Sequence, residues 1–477
     1  MRHEDFQKQE GKIFTKSFFI LAALAAIGFF ILGLRCVKGL GAVSNMSDGY
    51  PWGIWITYDV AIGTAMACGG YAMALLIYIS NRMHYHPLIR SCILASLFGY
   101  GLAGFSVMVD LGRPWNFYNF FVPSKWQFNS VMFEVAICIM SYTTILLIEL
   151  LPAILFSLEK SEWRRLRSVM DWLHQRYPID KATVLTRVEW VRSAAAKLRS
   201  RLDKALIFFI VLGVTLPAMH QSSLGSMMLV AGTKLHALWH TPFLPLLFLI
   251  NCIYIGYAIA ILQLIITAYA FKRPYHIKEL AGVARIIPWV TAIWMGVTVW
   301  DLTARGQWPA ALRLDLYSCS FLAEFILILG GSLLLLSRKN RFSPRWLYVS
   351  AALVLVGGAL YRVNVYILGF NPGQGWQYFP SISEVLFTVG IVSFEVLAYQ
   401  VLVKLCPVLP RVNLPELPHR KPQSAPGQGK GRPARKDAAP GAIPKVVEPK
   451  FASSVGESTG AVFGHAGQGA VRGLPAS

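Results

Sequence analysis

Apolar runs and polar stretches alternate along this chain ten times, and the apolar runs have about the length that crosses a bilayer. The runs fall at about 17–36, 53–80, 91–111, 130–156, 204–219, 243–270, 283–302, 318–337, 346–368 and 384–405. They are continuously apolar, which argues against the alternating pattern of a β-barrel. The pattern therefore predicts an all-α, polytopic membrane helical bundle of about ten transmembrane helices.

The polar stretches differ in charge, and that difference orients the bundle. The N-terminus (Arg2, Lys8, Lys12, Lys16), the connections at 81–90, 157–204, 271–282 and 338–345, and the C-terminal tail are all basic. The stretches between them carry few cations. By the positive-inside rule both termini are cytoplasmic, and the loops at 37–52, 112–129, 220–242, 303–317 and 369–383 share the outer face. The first apolar run follows a basic N-terminus without a small-residue cleavage site and reads as the first span. Three parts follow: a cytoplasmic N-terminus, 1–16; a transmembrane domain, 17–406; and a tail, 407–477, whose Pro, Gly, Ala, Lys and Arg cannot bury a core and read as disordered. Within the connection 157–204, Trp163, Leu166, Met170 and Leu173 recur at helical spacing. An interfacial amphipathic helix and a solvated hairpin fit that spacing equally.

Composition changes the picture in two places. The formal net charge is +21, which in a soluble chain would suggest nucleic acid; here the cations fall in alternate loops, and no nucleic-acid partner is expected. The seven cysteines include no CxxC, so local spacing builds no iron–sulfur cluster, and neither a Walker loop nor HExxH occurs. No metal site is expected.

The candidate chemistry lies in acids at membrane depth. The polar, aromatic stretch from Asp110 to Glu134 joins two apolar runs and returns a carboxylate into the bilayer. Asp59, Asp301, Glu324, Glu384 and Arg362 also map near outer span ends. Glu395 lies deeper, and Glu149 sits near the cytoplasmic end. Ionisable groups at such depth face cavities or partners, and carboxylates with a histidine suit proton transfer. Aromatic residues, among them Tyr58, Trp115 and Trp376, form either an interfacial belt or the walls of a site for a flat ring. On the plain structural reading, Arg113 and Arg362 neutralise neighbouring acids and fix helix ends. The fifth run ends in a polar turn with His220 and Gln221, where His220 is placed to hydrogen-bond a bound carbonyl. A b-type haem needs paired ligands on facing helices, and no two histidines fall inside two spans.

Five segments, GYPWGIWITYDVAIGTAMACGGYA, HPLIRSCILASLFGYGLAG, FNSVMFEVAICI, MHQSSLGSMM and FNPGQGWQYFPSISEVLFTVGIVSFE, together resemble the HybB-type integral membrane subunits of nickel–iron hydrogenases. These form a branch of the NrfD/polysulfide-reductase membrane-subunit family. The resemblance spans residues 10–410; the 157–204 connection looks longer than usual and the tail has no counterpart. It implies a multi-pass subunit of the bacterial inner membrane that carries the quinone site of a hydrogen:quinone oxidoreductase without activating hydrogen itself. The implied partners are a periplasmic iron–sulfur electron-transfer subunit, the hydrogenase small and large subunits, lipid, and menaquinone or ubiquinone. It also implies no haem or iron–sulfur cluster in this chain, together with energy coupling through proton uptake. The site residues that follow are Glu134, His220 and Asp110 as proton-handling groups; Asp59, Tyr58, Arg113, Trp115, Gln221 and Trp376 around the quinone; and Glu149, Glu324 and Glu395 along a proton path. Three other readings stand beside this one: an anchor for a polysulfide or nitrite oxidoreductase, a secondary transporter, and a purely structural anchor.

Overall fold

The computed structural model describes residues 6–160 and 181–411. Among the described residues ten helices are long and apolar enough to span a membrane: Lys16–Lys38, Ile54–Ile79, Met83–Asp110, Val131–Ser157, Glu189–Val230, Leu244–Ala270, Ile277–Ala304, Leu316–Leu336, Pro344–Leu368 and Ile382–Leu405. These are the ten expected spans, most with ends within a few residues of those read from the sequence. The protein is a multi-pass membrane protein.

The second and sixth spans form the centre; 78% and 72% of their most apolar windows are buried. The sixth touches the second, fifth, seventh and ninth. At the edge, the first span packs on the tenth, where Gly28 and Gly390 meet: a Cβ on Gly28 would lie 2.8 Å from Gly390 Cα. The second span is irregular. It is π-helical over Thr57–Ile62 and Leu75–Ile79, with a turn at Ala67–Cys68. Such departures re-aim side chains and carbonyls and often accompany function.

The fifth span departs from expectation. The polar turn expected at 217–228 is helical, and the helix runs on to Val230. Several of its polar groups find partners inside the bundle. Ser223 Oγ donates to Met219 O at 2.8 Å and Ser226 Oγ to Ser222 O at 3.2 Å. His220, Gln221, Leu224 and Met228 share one buried face at helical spacing. His220 and Gln221 therefore lie inside the bundle and not at a span end.

Three of the loops expected on one face, 37–52, 220–242 and 369–383, meet at one end. Leu235 bridges Phe370, Asn371 N donates to Lys234 O at 2.7 Å, and Tyr50 OH donates to Phe370 O at 3.0 Å. At the other end a two-stranded antiparallel sheet pairs Phe6–Gln7 with Leu409–Pro410. Val408 and Leu409 are buried, so the first residues of the expected tail belong to the bundle. Residues 412–477, and the stretch holding Trp163, Leu166, Met170 and Leu173, lie outside the described residues.

Candidate functional site

A cavity of about 760 Å³ runs into the bundle from the basic end. Lys12, Lys16, Lys272 and Lys404 surround its mouth, and Tyr58, Asp59 and Glu395 line its deeper part. The third span contributes Gly99 and Ala103, the sixth Gln263 and Thr267, and the tenth Tyr399. Asp59 is buried and accepts a hydrogen bond from Ser106 Oγ at 2.7 Å through Oδ2. Gln263 Nε2 donates to Ser91 O at 2.7 Å and approaches Tyr399 OH at 3.3 Å. A buried carboxyl with one oxygen engaged, a phenol and a second carboxyl thus face one space.

The expected pocket was beneath the outer loops, but the cavity opens at the opposite end. Glu384 draws together two of the loops expected on the outer face, 37–52 and 369–383: it accepts from Tyr378 OH at 2.8 Å, Ser381 N at 2.8 Å and Asn45 N at 3.1 Å, while Tyr378 OH in turn accepts from Ile54 N at 2.6 Å. Gly53 is needed there, since a Cβ would lie 2.2 Å from Glu384 Oε1.

The remaining candidates are scattered. His220 Nε2 lies 3.1 Å from Thr64 Oγ1, which also accepts from Gln221 Nε2 at 2.9 Å. Tyr100 OH contacts Gln221 Nε2 at 3.4 Å and Cys68 Sγ at 3.3 Å. This group packs on the other side of the second span, away from the cavity lining. Asp110 Oδ1 accepts from Trp55 Nε1 at 2.9 Å at the end away from the cavity mouth. Glu134 is half-buried in the first turn of the fourth span, while Arg113 and Trp115 are exposed. Trp376 is also exposed and covers Gly49. Glu149 lines a separate cavity of about 10 Å³, the size of one water, with Tyr78 and Tyr142. Glu324 is fully buried, accepting from Asn364 Nδ2 at 2.7 Å and Trp239 Nε1 at 3.4 Å. The structure thus brings Tyr58, Asp59 and Glu395 together, pairs His220 with Gln221, and leaves the others apart.

Arg362 does not neutralise an acid. Its fully buried guanidinium donates to Asn251 Oδ1 at 2.5 Å, Ala61 O at 2.6 Å and Phe248 O at 3.0 Å, and lies 4.7 Å from the Phe248 ring centroid. The Ala61 carbonyl belongs to the π-helical stretch of the second span. Sequence reasoning also missed Ser106, Gln263 and Tyr399. For Ser106 a signal existed: Gly99, Ala103 and Ser106 recur every three to four residues, marking one small-residue face towards Asp59.

A family model described as "Polysulphide reductase, NrfD" matches residues 42–371, well over half the chain. The chain belongs to the NrfD family. This NrfD chain is 36% identical over 409 residues to an Escherichia coli (strain K12) protein named "Probable Ni/Fe-hydrogenase 2 b-type cytochrome subunit", covering 85% of this chain and 95% of that one. It is 23% identical over 413 residues to the "Menaquinone reductase, integral membrane subunit" of Nitratidesulfovibrio vulgaris, covering 78% and 87%.

The first name corrects one expectation. "b-type cytochrome subunit" points to haem, so the expectation of a haem-free chain does not stand. The sequence pattern places His220 at a span end, whereas its ring is wholly buried inside the bundle. The described residues nonetheless do not build a paired-histidine site: no second histidine is fully buried, and His220 packs edge-on to Tyr100 at 5.5 Å without lining the large cavity. Among the described residues no three His, Cys, Asp or Glu converge to hold a metal ion.

Proposed function

We propose that this chain is the quinone-interacting membrane subunit of a respiratory nickel–iron hydrogenase that faces the periplasm. In this reading it sits in the bacterial inner membrane with both termini cytoplasmic. The observation that carries the quinone assignment is the cavity ending at Asp59, in a chain similar over most of its length to a hydrogenase subunit and, more distantly, to a menaquinone reductase subunit. Ile266 and Val396 line that cavity and are also exposed on the outside of the sixth and tenth spans, a route for an apolar tail into lipid. Asp59 lies five residues, about 8 Å along the helix, from the outer end of its span. An iron–sulfur protein docked on the outer loops therefore approaches the closed end of the cavity.

The chemistry is a two-electron, two-proton reduction. The partner iron–sulfur protein supplies two electrons, one at a time. The Asp59 carboxyl gives a proton to a quinone oxygen through the oxygen that Ser106 leaves free, and Tyr58 hydrogen-bonds the ring. Glu395 returns protons to Asp59 from the water-accessible mouth.

The test is hydrogen-dependent quinone reduction by the complex purified with its partners. Asp59→Asn and Glu395→Gln are expected to abolish it while leaving dye-linked hydrogen oxidation intact. Full quinone reduction in both variants would remove quinone from this cavity. A broken second span beside a one-sided cavity also suits a secondary transporter. Substrate uptake by vesicles of the chain alone, with no quinone activity in the complex, would favour that second reading.

A further inference from the structure

We infer that the basic mouth of the cavity binds the phosphate headgroup of an anionic phospholipid, with an acyl chain laid along the cavity wall. Lys12, Lys16, Lys272 and Lys404 line the mouth, against a single acid there, Glu10. None of the four lysines makes an ion pair among the described residues; Lys404 Nζ donates to the Lys12 carbonyl at 2.6 Å. The deep acids do not neutralise them. Glu395 lies nine residues, about 13 Å of helix, from Lys404.

The charges have been gathered from distant parts of the chain. Gln9 N donates to Val403 O at 2.9 Å, and Arg273 Nη1 donates to Gln9 Oε1 at 3.2 Å. These bonds hold the N-terminal segment over the start of the tenth span's last turn and the end of the sixth. The first span also opens there, and its first turn contains no acidic residue, so the positive end of its dipole adds to the lysines. Lys272 is fixed just beyond the sixth span in a left-handed conformation, φ +51°.

Phosphate is the chemistry that a cluster of unpaired lysines recognises, and the walls decide its source. Ile266 and Val396, 51% and 41% exposed on spanning helices, open the cavity sideways to the bilayer. A free anion has no use for such a wall, whereas a phospholipid places its headgroup at the lysines and a chain along it. Basic pockets between helices at this depth hold acidic headgroups. The phosphate headgroup is itself hydrated, so water still reaches Glu395 past it; its chain shares the opening at Ile266 and Val396 with the apolar tail of a ligand whose ring occupies the closed end at Asp59.

The experiment is native mass spectrometry of the complex purified with its partners, exchanged into mixed phosphatidylglycerol and phosphatidylcholine and then washed in detergent. The chain is expected to retain phosphatidylglycerol over phosphatidylcholine. In a series of Lys12→Gln, Lys16→Gln and Lys404→Gln, retention falls about fivefold per lysine, the factor equal to about 1 kcal/mol for each lysine near the surface. Lys278→Gln and Lys339→Gln, exposed and outside the cavity lining, leave retention unchanged. Equal retention of the two lipids, or an undiminished signal in the triple variant, overturns the proposal. Complete displacement by inorganic phosphate alone overturns the lipid assignment. If the triple variant fails to assemble, Lys16→Gln alone decides by the same fivefold change. The measurement contains no electron donor, so lipid retention and quinone reduction fail independently.

Discussion

Ser106 Oγ donates a 2.7 Å hydrogen bond to Asp59 Oδ2 at the closed end of the cavity, tying the third span to the π-helical start of the second. A hydrogen bond contributes about 0.5–1.5 kcal/mol, and more once the carboxyl has given up its proton and is charged; this one also fixes which carboxyl oxygen faces the cavity. Ser106→Ala is therefore expected to lower hydrogen-dependent quinone reduction about tenfold, since 1.4 kcal/mol is a factor of ten, with dye-linked hydrogen oxidation unchanged. Ser106→Thr, which keeps the hydroxyl, restores most of it. Equal rates for the alanine variant and the parent would mean that Asp59 needs no such positioning.

Arg362 is held by three acceptors and no acid. Arg362→Leu takes the donor from Asn251 Oδ1, at about 1–3 kcal/mol for an acceptor left unpaired inside the bundle, and also removes the bonds to the Ala61 and Phe248 carbonyls. Arg362→Lys keeps the charge but offers a single point donor to sites spread over three residues, so it recovers only part of the loss. Thermal unfolding in detergent is expected to rank the parent above lysine and lysine above leucine. A leucine variant as stable as the parent would show that the guanidinium does not hold these spans together.

The ten spans were legible because continuous apolar length is a strong signal that tertiary context does not disturb. The gathering of the loops at two ends followed from charge alone. The site was less legible because depth and facing are decided by packing. The polar run from His220 to Ser226 reads as a turn when each residue is assumed to need water, yet Thr64 and the helix's own carbonyls bond to part of it inside the bundle. Glu384 reads as a site acid, but its oxygens are consumed by Tyr378, Ser381 and Asn45, and this closes the end where a pocket was expected. Arg362 reads as a counter-ion because no periodicity reveals that backbone carbonyls will hold it.

Gly28 and Gly390 let the first and tenth spans touch backbone to backbone. A Cβ on Gly390 would lie 2.5 Å from Gly28 Cα. Neither partner is a flexible side chain, so the helices themselves must part. Gly390→Ala is expected to cost about 1–3 kcal/mol as an overpacked contact and to loosen the first span, whose main neighbour is the tenth. Cysteine pairs placed across this seam should cross-link more slowly in the alanine variant. An unchanged cross-linking rate would show that the seam adjusts without separating.

His236 offers a pH test outside the spans. Its ring stacks on Tyr317 at 4.5 Å and its Nδ1 accepts from Leu238 N at 3.3 Å, within the loop that bridges Leu235 to Phe370. Burial lowers its pKa below the usual 6.5; Asp315 opposes that shift and Arg313 adds to it. Because the folded-state value lies below the unfolded one, the unfolded loop binds more protons over the interval between them. The stabilisation is complete above the ordinary histidine value and is lost as pH falls below about 6.5 towards the lowered value. Hydrogen exchange across 231–243 is expected to speed up, beyond its intrinsic pH dependence, between about pH 7.5 and pH 5.5, the range over which an ordinary histidine gains its charge. His236→Phe keeps the stacking ring without the titration and should remove that extra acceleration. The same acid response in the phenylalanine variant would assign the effect to another group.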